Sequence, residues 1–61
     1  MSEKPRVGDL VKMKRGYSEP GIVMDIHWLN TGVWARVLWP DYGLGLEKRR
    51  DLEVISDRQT A

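Results

Sequence analysis

Apolar side chains along this chain recur at alternate positions, in short runs separated by Gly, Pro, Asn and Asp. That spacing is the signature of half-buried β-strands. The clearest run is Val33 to Trp39, closed by Pro40-Asp41-Tyr42-Gly43. Val33, Ala35, Val37 and Trp39 fall on one face and predict a core surface, which turns Arg36 to solvent. From Leu10 to Lys14, Val11 and Met13 point one way and Lys12 and Lys14 the other; Leu10 takes the outward register, placed to cover an open end. From Ile22 to Trp28 the even positions, Ile22, Met24, Ile26 and Trp28, are apolar and are expected inside. Val23, on the opposite register, predicts a bend or bulge there.

Between these runs, Arg15 to Gly21 is a loop by composition, and Leu29-Asn30-Thr31-Gly32 is a hairpin connection in which Asn and Gly supply positive φ angles. A short strand is expected from Leu44 or Gly45 to Lys48, then a single 3-10 turn over Arg49 to Leu52, then a last strand from Glu53 to Ile55. No window repeats apolar residues at helical spacing. Five short strands with one tight hairpin predict a small, strongly bent all-β barrel, since closing a short sheet removes most of its exposed edges. The chain reads as a single domain with its core at about residues 7–55 and loose ends at 1–6 and 56–61.

Composition narrows the chemistry. A chain of 61 residues buries about 60% of its unfolded surface, so its core is small. With no cysteine and one histidine, His27, it lacks the four or so ligands of a structural zinc site, and no metal or cofactor is expected. The absence of cysteine fits a reducing cytoplasm. Three Trp and two Tyr, with no Phe, must carry much of the packing. Ten basic and nine acidic side chains leave a net charge of +1, without the basic excess of a dedicated nucleic-acid binder. No apolar run is long enough for a membrane span or a signal peptide, so no membrane association is expected. His27 stands alone and the carboxylates are scattered singly, which leaves no set of groups for general acid–base or nucleophilic catalysis.

Val7-Gly8-Asp9-Leu10-Val11, Gly21-Ile22-Val23, Ala35-Arg36-Val37-Leu38-Trp39 and Asp51-Leu52-Glu53 together resemble the SH3-like barrel superfamily, in its Tudor-like and KOW-like forms. Trp39, Tyr42-Gly43, Glu47 and Asp51-Leu52 follow one another in the order seen in Tudor domains. The chain is also similar to short proteins encoded by marine tailed phages, which implies a phage accessory protein acting in the host cytoplasm. The resemblance covers residues 7 to 55 and implies a five-stranded SH3-like barrel with a 3-10 turn before its last strand. Tudor domains hold methylated Lys or Arg in an aromatic cage. Here Trp39 and Tyr42 match two cage positions, whereas the first strand offers Lys12 and Met13, and Leu44 follows the Tyr-Gly pair.

Three readings of the surface follow. In the first, Tyr17 and Tyr42 join Trp39 or Trp28 to line a shallow aromatic groove for an extended or Pro-rich peptide, with Trp34, Arg36 and Asp41 as further contacts. The bland counterpart is that the Tyr rings plug the barrel ends, that Trp39 is core, and that Trp34 covers Leu38 or stacks on a cross-strand neighbour. In the second, Lys12, Lys14, Arg15, Lys48, Arg49 and Arg50 bind a polyanion such as nucleic acid; the bland counterpart is a solvated face neutralised by Glu47, Asp51 and Glu53. In the third, Trp34 and Leu38 are buried in a homo-oligomer or a virion. The expected function is a small non-catalytic interaction module with a protein or peptide partner.

Overall fold

The computed structural model describes residues 4–17 and 19–55. It is all-β: β1 (Leu10–Met13), β2 (Gly21–Leu29), β3 (Gly32–Trp39), β4 (Gly43–Lys48), a 3-10 turn (Arg49–Asp51) and β5 (Leu52–Val54). The strands form one antiparallel sheet in the order β4-β3-β2-β1-β5. β4 and β5 are therefore the two edges and are not paired with each other, so the expected closure of the sheet is incomplete. Four strand spacings would separate these edges by about 19 Å in a flat sheet. Yet only the three residues of the 3-10 turn connect them, a reach of roughly 6–8 Å. That short link requires the sheet to curl on itself like a barrel.

The curl brings residues from four strands into one core: Val11, Val23, Ala35, Val37, Trp39 and Leu52. Met13, Tyr17, Ile26 and Val54 pack against it, half-buried. β3 follows its sequence alternation, with Ala35, Val37 and Trp39 buried and Arg36 and Leu38 exposed. β2 does not. Val23 is buried while Ile22 and Met24 are exposed, and the β2–β3 register then shifts between Val23 and Asp25. One extra residue on a bulged strand moves every later side chain to the other face. Before the bulge the odd position faces the core; beyond it the even position, Ile26, does. The bulge expected near Val23 is present, but the expected inward set is broken by it. Trp28, expected inside, is 72% exposed.

The β2–β3 hairpin pairs Leu29 with Gly32 around Asn30 and Thr31. Among the described residues only glycines adopt positive φ, so Asn30 does not supply the angle expected of it; Gly32 does, at 128°. The lead-in is also more ordered than its composition implies. Pro5 is buried, and the Arg6 backbone N–H donates to Asp9 Oδ2 at 3.0 Å while Asp9 N–H returns a bond to Arg6 O. Asp9 is itself buried, and its carbonyl accepts from Val23 N–H, fixing the start of β1 against β2. The expected loose ends at 1–3 and 56–61 lie outside the described residues.

Candidate functional site: an aromatic cleft beside an edge strand

β3 ends at Trp39, on the inward register, and the Pro40–Tyr42 turn leads straight back into β4. Tyr42 is therefore held close to Trp39 while its ring stays 72% exposed. Trp39 is 4% exposed, packs closely against two glycines, and still lines the cleft. A Cβ on Gly21 would lie 2.6 Å from Trp39 Cε3, and one on Gly45 would lie 3.2 Å from Trp39 Nε1. No side chain fits between the Gly21 backbone and the indole, and one at Gly45 would need the indole to give by a few tenths of an ångström. Trp39 Nε1–H donates to Glu47 Oε2 at 3.2 Å, which fixes the ring plane through an inward-facing side chain of β4.

The long loop between β1 and β2 supplies the third ring. Tyr17 meets Trp39 edge-on, with centroids 5.5 Å apart at 86°, and Tyr42 at 4.9 Å and 66°. Both arrangements are in the favourable edge-to-face range. The Tyr17 hydroxyl donates to Asp41 Oδ2 at 3.2 Å, tying the loop to the turn after β3. Desolvation, that hydrogen bond and the negative charges of Asp41 and Glu19 push the Tyr17 hydroxyl above its ordinary value of 10.0, so it stays a neutral donor at physiological pH. The three rings, with Met13, Arg15, Gly45 and Glu47, enclose an open cleft of about 210 Å³ with a mainly apolar lining.

Of the five residues singled out as partner contacts, three come together here: Tyr17, Asp41 and Tyr42. Trp34 and Arg36 do not. They lie on β3 at the register opposite Trp39 and so face away from the cleft. Trp34 is half-buried; its Nε1–H donates to Thr31 Oγ1 at 2.9 Å, and the Lys48 ammonium sits 5.5 Å from its ring centroid. Lys48 is its cross-strand partner on β4, so the ring stacks on a neighbour rather than standing free. Trp28, the other ring considered for the groove, is on the far part of β2 and takes no part in the lining. Met13 and Glu47 are lining residues that the sequence did not mark as contacts. The Tudor-like resemblance names both, Glu47 in its order of motifs and Met13 on the first strand, and both fall on inward registers.

The basic residues divide. Arg15 lines the cleft, and Lys48 covers Trp34. Lys12 pairs across from Glu53, and Lys14 N–H donates to Asp51 O at 3.0 Å, which sets the end of β1 beside Arg49 and Arg50 with acids between them. His27 Nε2 lies 3.7 Å from Asp25 Oδ2, and on the ladder His27 pairs with Trp34. Among the described residues no cluster of three or more His, Cys, Asp or Glu could hold a metal ion, and no helix is long and apolar enough to cross a membrane. Comparison with family models, with curated proteins and with solved structures returns no match.

Proposed function

We propose that this chain is a non-catalytic interaction module, an SH3-like barrel whose Tyr17–Trp39–Tyr42 cleft receives an extended peptide. The observation that carries this reading is the meeting of three rings from three separate segments in one open cleft. Two polar edges there are already engaged: Tyr17 with Asp41 and Trp39 with Glu47. Rings held this way lose little freedom on binding, which favours affinity. At about 210 Å³ the cleft is smaller than the roughly 300 Å³ at which small-molecule sites begin, and it suits one or two side chains of a peptide lying across it. Stiff Pro-rich segments suit such aromatic surfaces because little conformational entropy is lost. The carboxylates of Asp41 and Glu47 favour a basic residue next to the docking proline.

The competing reading is a polyanion site. It draws support from the backbone bond that sets Lys14 beside the Arg49–Asp51 turn. Asp51 and Glu53, both exposed, interrupt that surface, and this favours the cleft. One titration separates the two. Amide and indole NMR shifts are followed while a Pro-rich decapeptide carrying one Arg, or a single-stranded oligonucleotide, is added at low and high salt. The proposal expects peptide-induced shifts at Tyr17, Tyr42 and the Trp39 indole that survive salt. It also expects Tyr42→Ala and Tyr17→Ala to weaken binding about tenfold, roughly 1.4 kcal/mol, in folded variants. Salt-labile shifts at Lys12, Lys14, Arg49 and Arg50 with the oligonucleotide, and none with peptide, would replace this reading with nucleic-acid binding. Loss of the fold in both Tyr variants would make the rings end-plugs.

A further inference from the structure

β4 is an edge of the sheet, with β3 on one side and no strand on the other. The bonds at Val23 fix which of its backbone groups lie on the open side. Val23 N–H donates to Asp9 O at 3.0 Å, and its carbonyl accepts from Gly8 N–H at 2.8 Å, so both groups point to the β1 side. Its partner across the ladder, Val37, must then turn its own N–H and C=O away from β2 and toward β4, where it meets Gly45. Backbone groups alternate in direction along a strand. Gly45 therefore bonds to β3, while the N–H and C=O of Leu44 and Leu46 point off the open edge. Among the described residues no loop or side chain takes these groups up. Another open stretch, on β2 past the bulge, is plugged: Ile26 N–H donates to Asp25 Oδ1 at 2.9 Å. From Gly43 to Leu46, β4 has no charge, proline or bulge of the kind that blunts an edge.

We propose that an extended peptide adds to this edge as a further antiparallel strand, and that the cleft receives every second side chain of it. The proposal rests on the cleft's being a peptide site. Gly45 and Glu47 line the cleft, so a peptide side chain opposite Gly45 falls on the cleft side, next to the Trp39 indole. β4 itself puts no side chain there. The peptide residues on either side of that one lie outward beside Leu44 and Leu46, which are 56% and 44% exposed and offer apolar cover. In an antiparallel pair it is these outward residues that bond to Leu44 and Leu46; the cleft-facing residue turns its N–H away. Proline, which has no N–H, is therefore allowed in the cleft and excluded from the positions beside it. The ligand class is an extended strand with proline or another apolar residue at alternate positions. A second copy fits this edge poorly. Paired β4 to β4, it would bring Gly43, Gly45 or Glu47 over the cleft, which supplies no apolar filler and adds a carboxylate where Asp41 and Glu47 already stand. β5 is three residues long and holds Leu52 in its own core.

The test is an NMR titration of the full chain with the end-capped peptide Ser-Val-Arg-Pro-Val-Pro-Thr-Ser. Its two prolines fix the register, so the Val between them must bond to β4. An ester in place of that Val's amide should weaken binding about tenfold, the effect of losing one hydrogen bond. An ester at the first Val, whose N–H points away from β4, should change binding less than about twofold. The Leu44 and Leu46 amides should exchange rapidly in the free protein and about tenfold more slowly in the complex. Shifts at Tyr17, Tyr42 and the Trp39 indole that survive both esters overturn strand addition and leave the cleft reading standing, as do Leu44 and Leu46 amides that stay fast in the complex. An absence of shifts at the rings removes both. Leu44 and Leu46 amides that slow with rising protein concentration, without peptide, assign the edge to a second copy and overturn the proposal.

Discussion

Gly21→Ala tests most directly whether the Trp39 indole is built into the fold as described. The added methyl would lie 2.6 Å from Trp39 Cε3, 2.6 Å from Val37 Cγ1 and 2.9 Å from the Leu38 carbonyl oxygen. The first two belong to buried side chains, and the third is backbone at the next-to-last position of β3, paired on both sides with Ile22 and Leu44. Overpacking of this kind costs about 1–3 kcal/mol, and the backbone contact places this site toward the upper end. Replacing Gly also removes freedom from the unfolded chain, which returns about 0.4–1 kcal/mol. The net loss is therefore about 2 kcal/mol. A domain of this length has a total stability of roughly 3–9 kcal/mol, so the loss is a large fraction of the whole. Urea unfolding followed by Trp fluorescence should show the midpoint falling by about 1–2 M. The melting temperature should fall by roughly 8–16 °C. Gly16→Ala is the control: its φ of 81° is unfavourable for Ala, but nothing lies within 4 Å of the new methyl, so only a conformational cost of about 1 kcal/mol is expected. If Gly21→Ala came within about 0.5 kcal/mol of the parent, the size of an ordinary surface change, the close approach of Trp39 to β2 would be wrong.

The remaining predictions concern the rim of the cleft and the start of β1. The Tyr17 hydroxyl is raised above 10.0, so tyrosinate absorbance should show a late step that Asp41→Asn moves back toward the ordinary value. A raised folded-state pKa means that the Tyr17–Asp41 contribution is complete below the unfolded value of 10.0 and is lost as pH rises through the folded one; alkaline melts of the parent and Tyr17→Phe should converge there. Glu47→Leu strips the Trp39 indole of its acceptor, and it should lower stability by about 1–3 kcal/mol while Glu47→Gln, which keeps a carbonyl oxygen, costs less than about 1 kcal/mol in the same urea assay. Asp9→Ala leaves the Arg6 N–H without its carboxylate partner and should cost about 1–3 kcal/mol, with faster amide exchange at Arg6.

The placement of the strands along the chain was largely legible because alternation is a local property. β3, which has no irregularity, shows in its sequence the faces it adopts in the fold. β2 misleads for two reasons that act together. Its bulge inverts the period in mid-strand, and its exposed apolar residues, Ile22 and Met24, mimic a core set. Periodicity reports which side chains share a face, but it cannot say which of two apolar faces is covered. The cleft was legible in its rings and not in its assembly. Tyr17 sits 22 residues from Trp39 and 25 from Tyr42, and what joins them is the curl imposed by the short link from β4 to β5. Trp34 and Arg36, close in sequence to the site, face away from it because they stand on the register of β3 opposite Trp39.

Trp39 is at once the largest side chain in the core and the floor of the cleft. On the proposed reading, a change at that position bears on folding and on recognition together, and the two glycines packed against the indole share that constraint. On that reading, variation in ligand preference falls to rim positions with lighter structural duty, Arg15 on the loop and Tyr42 on the turn. A lineage of such domains would be expected to keep an invariant indole-and-glycine floor beneath a fast-changing rim, much as a lock series keeps one cylinder and alters the pins. Selection experiments that randomise only those rim positions should recover folded variants with new preferences at high frequency, whereas libraries that include 21, 39 or 45 should be dominated by unfolded chains.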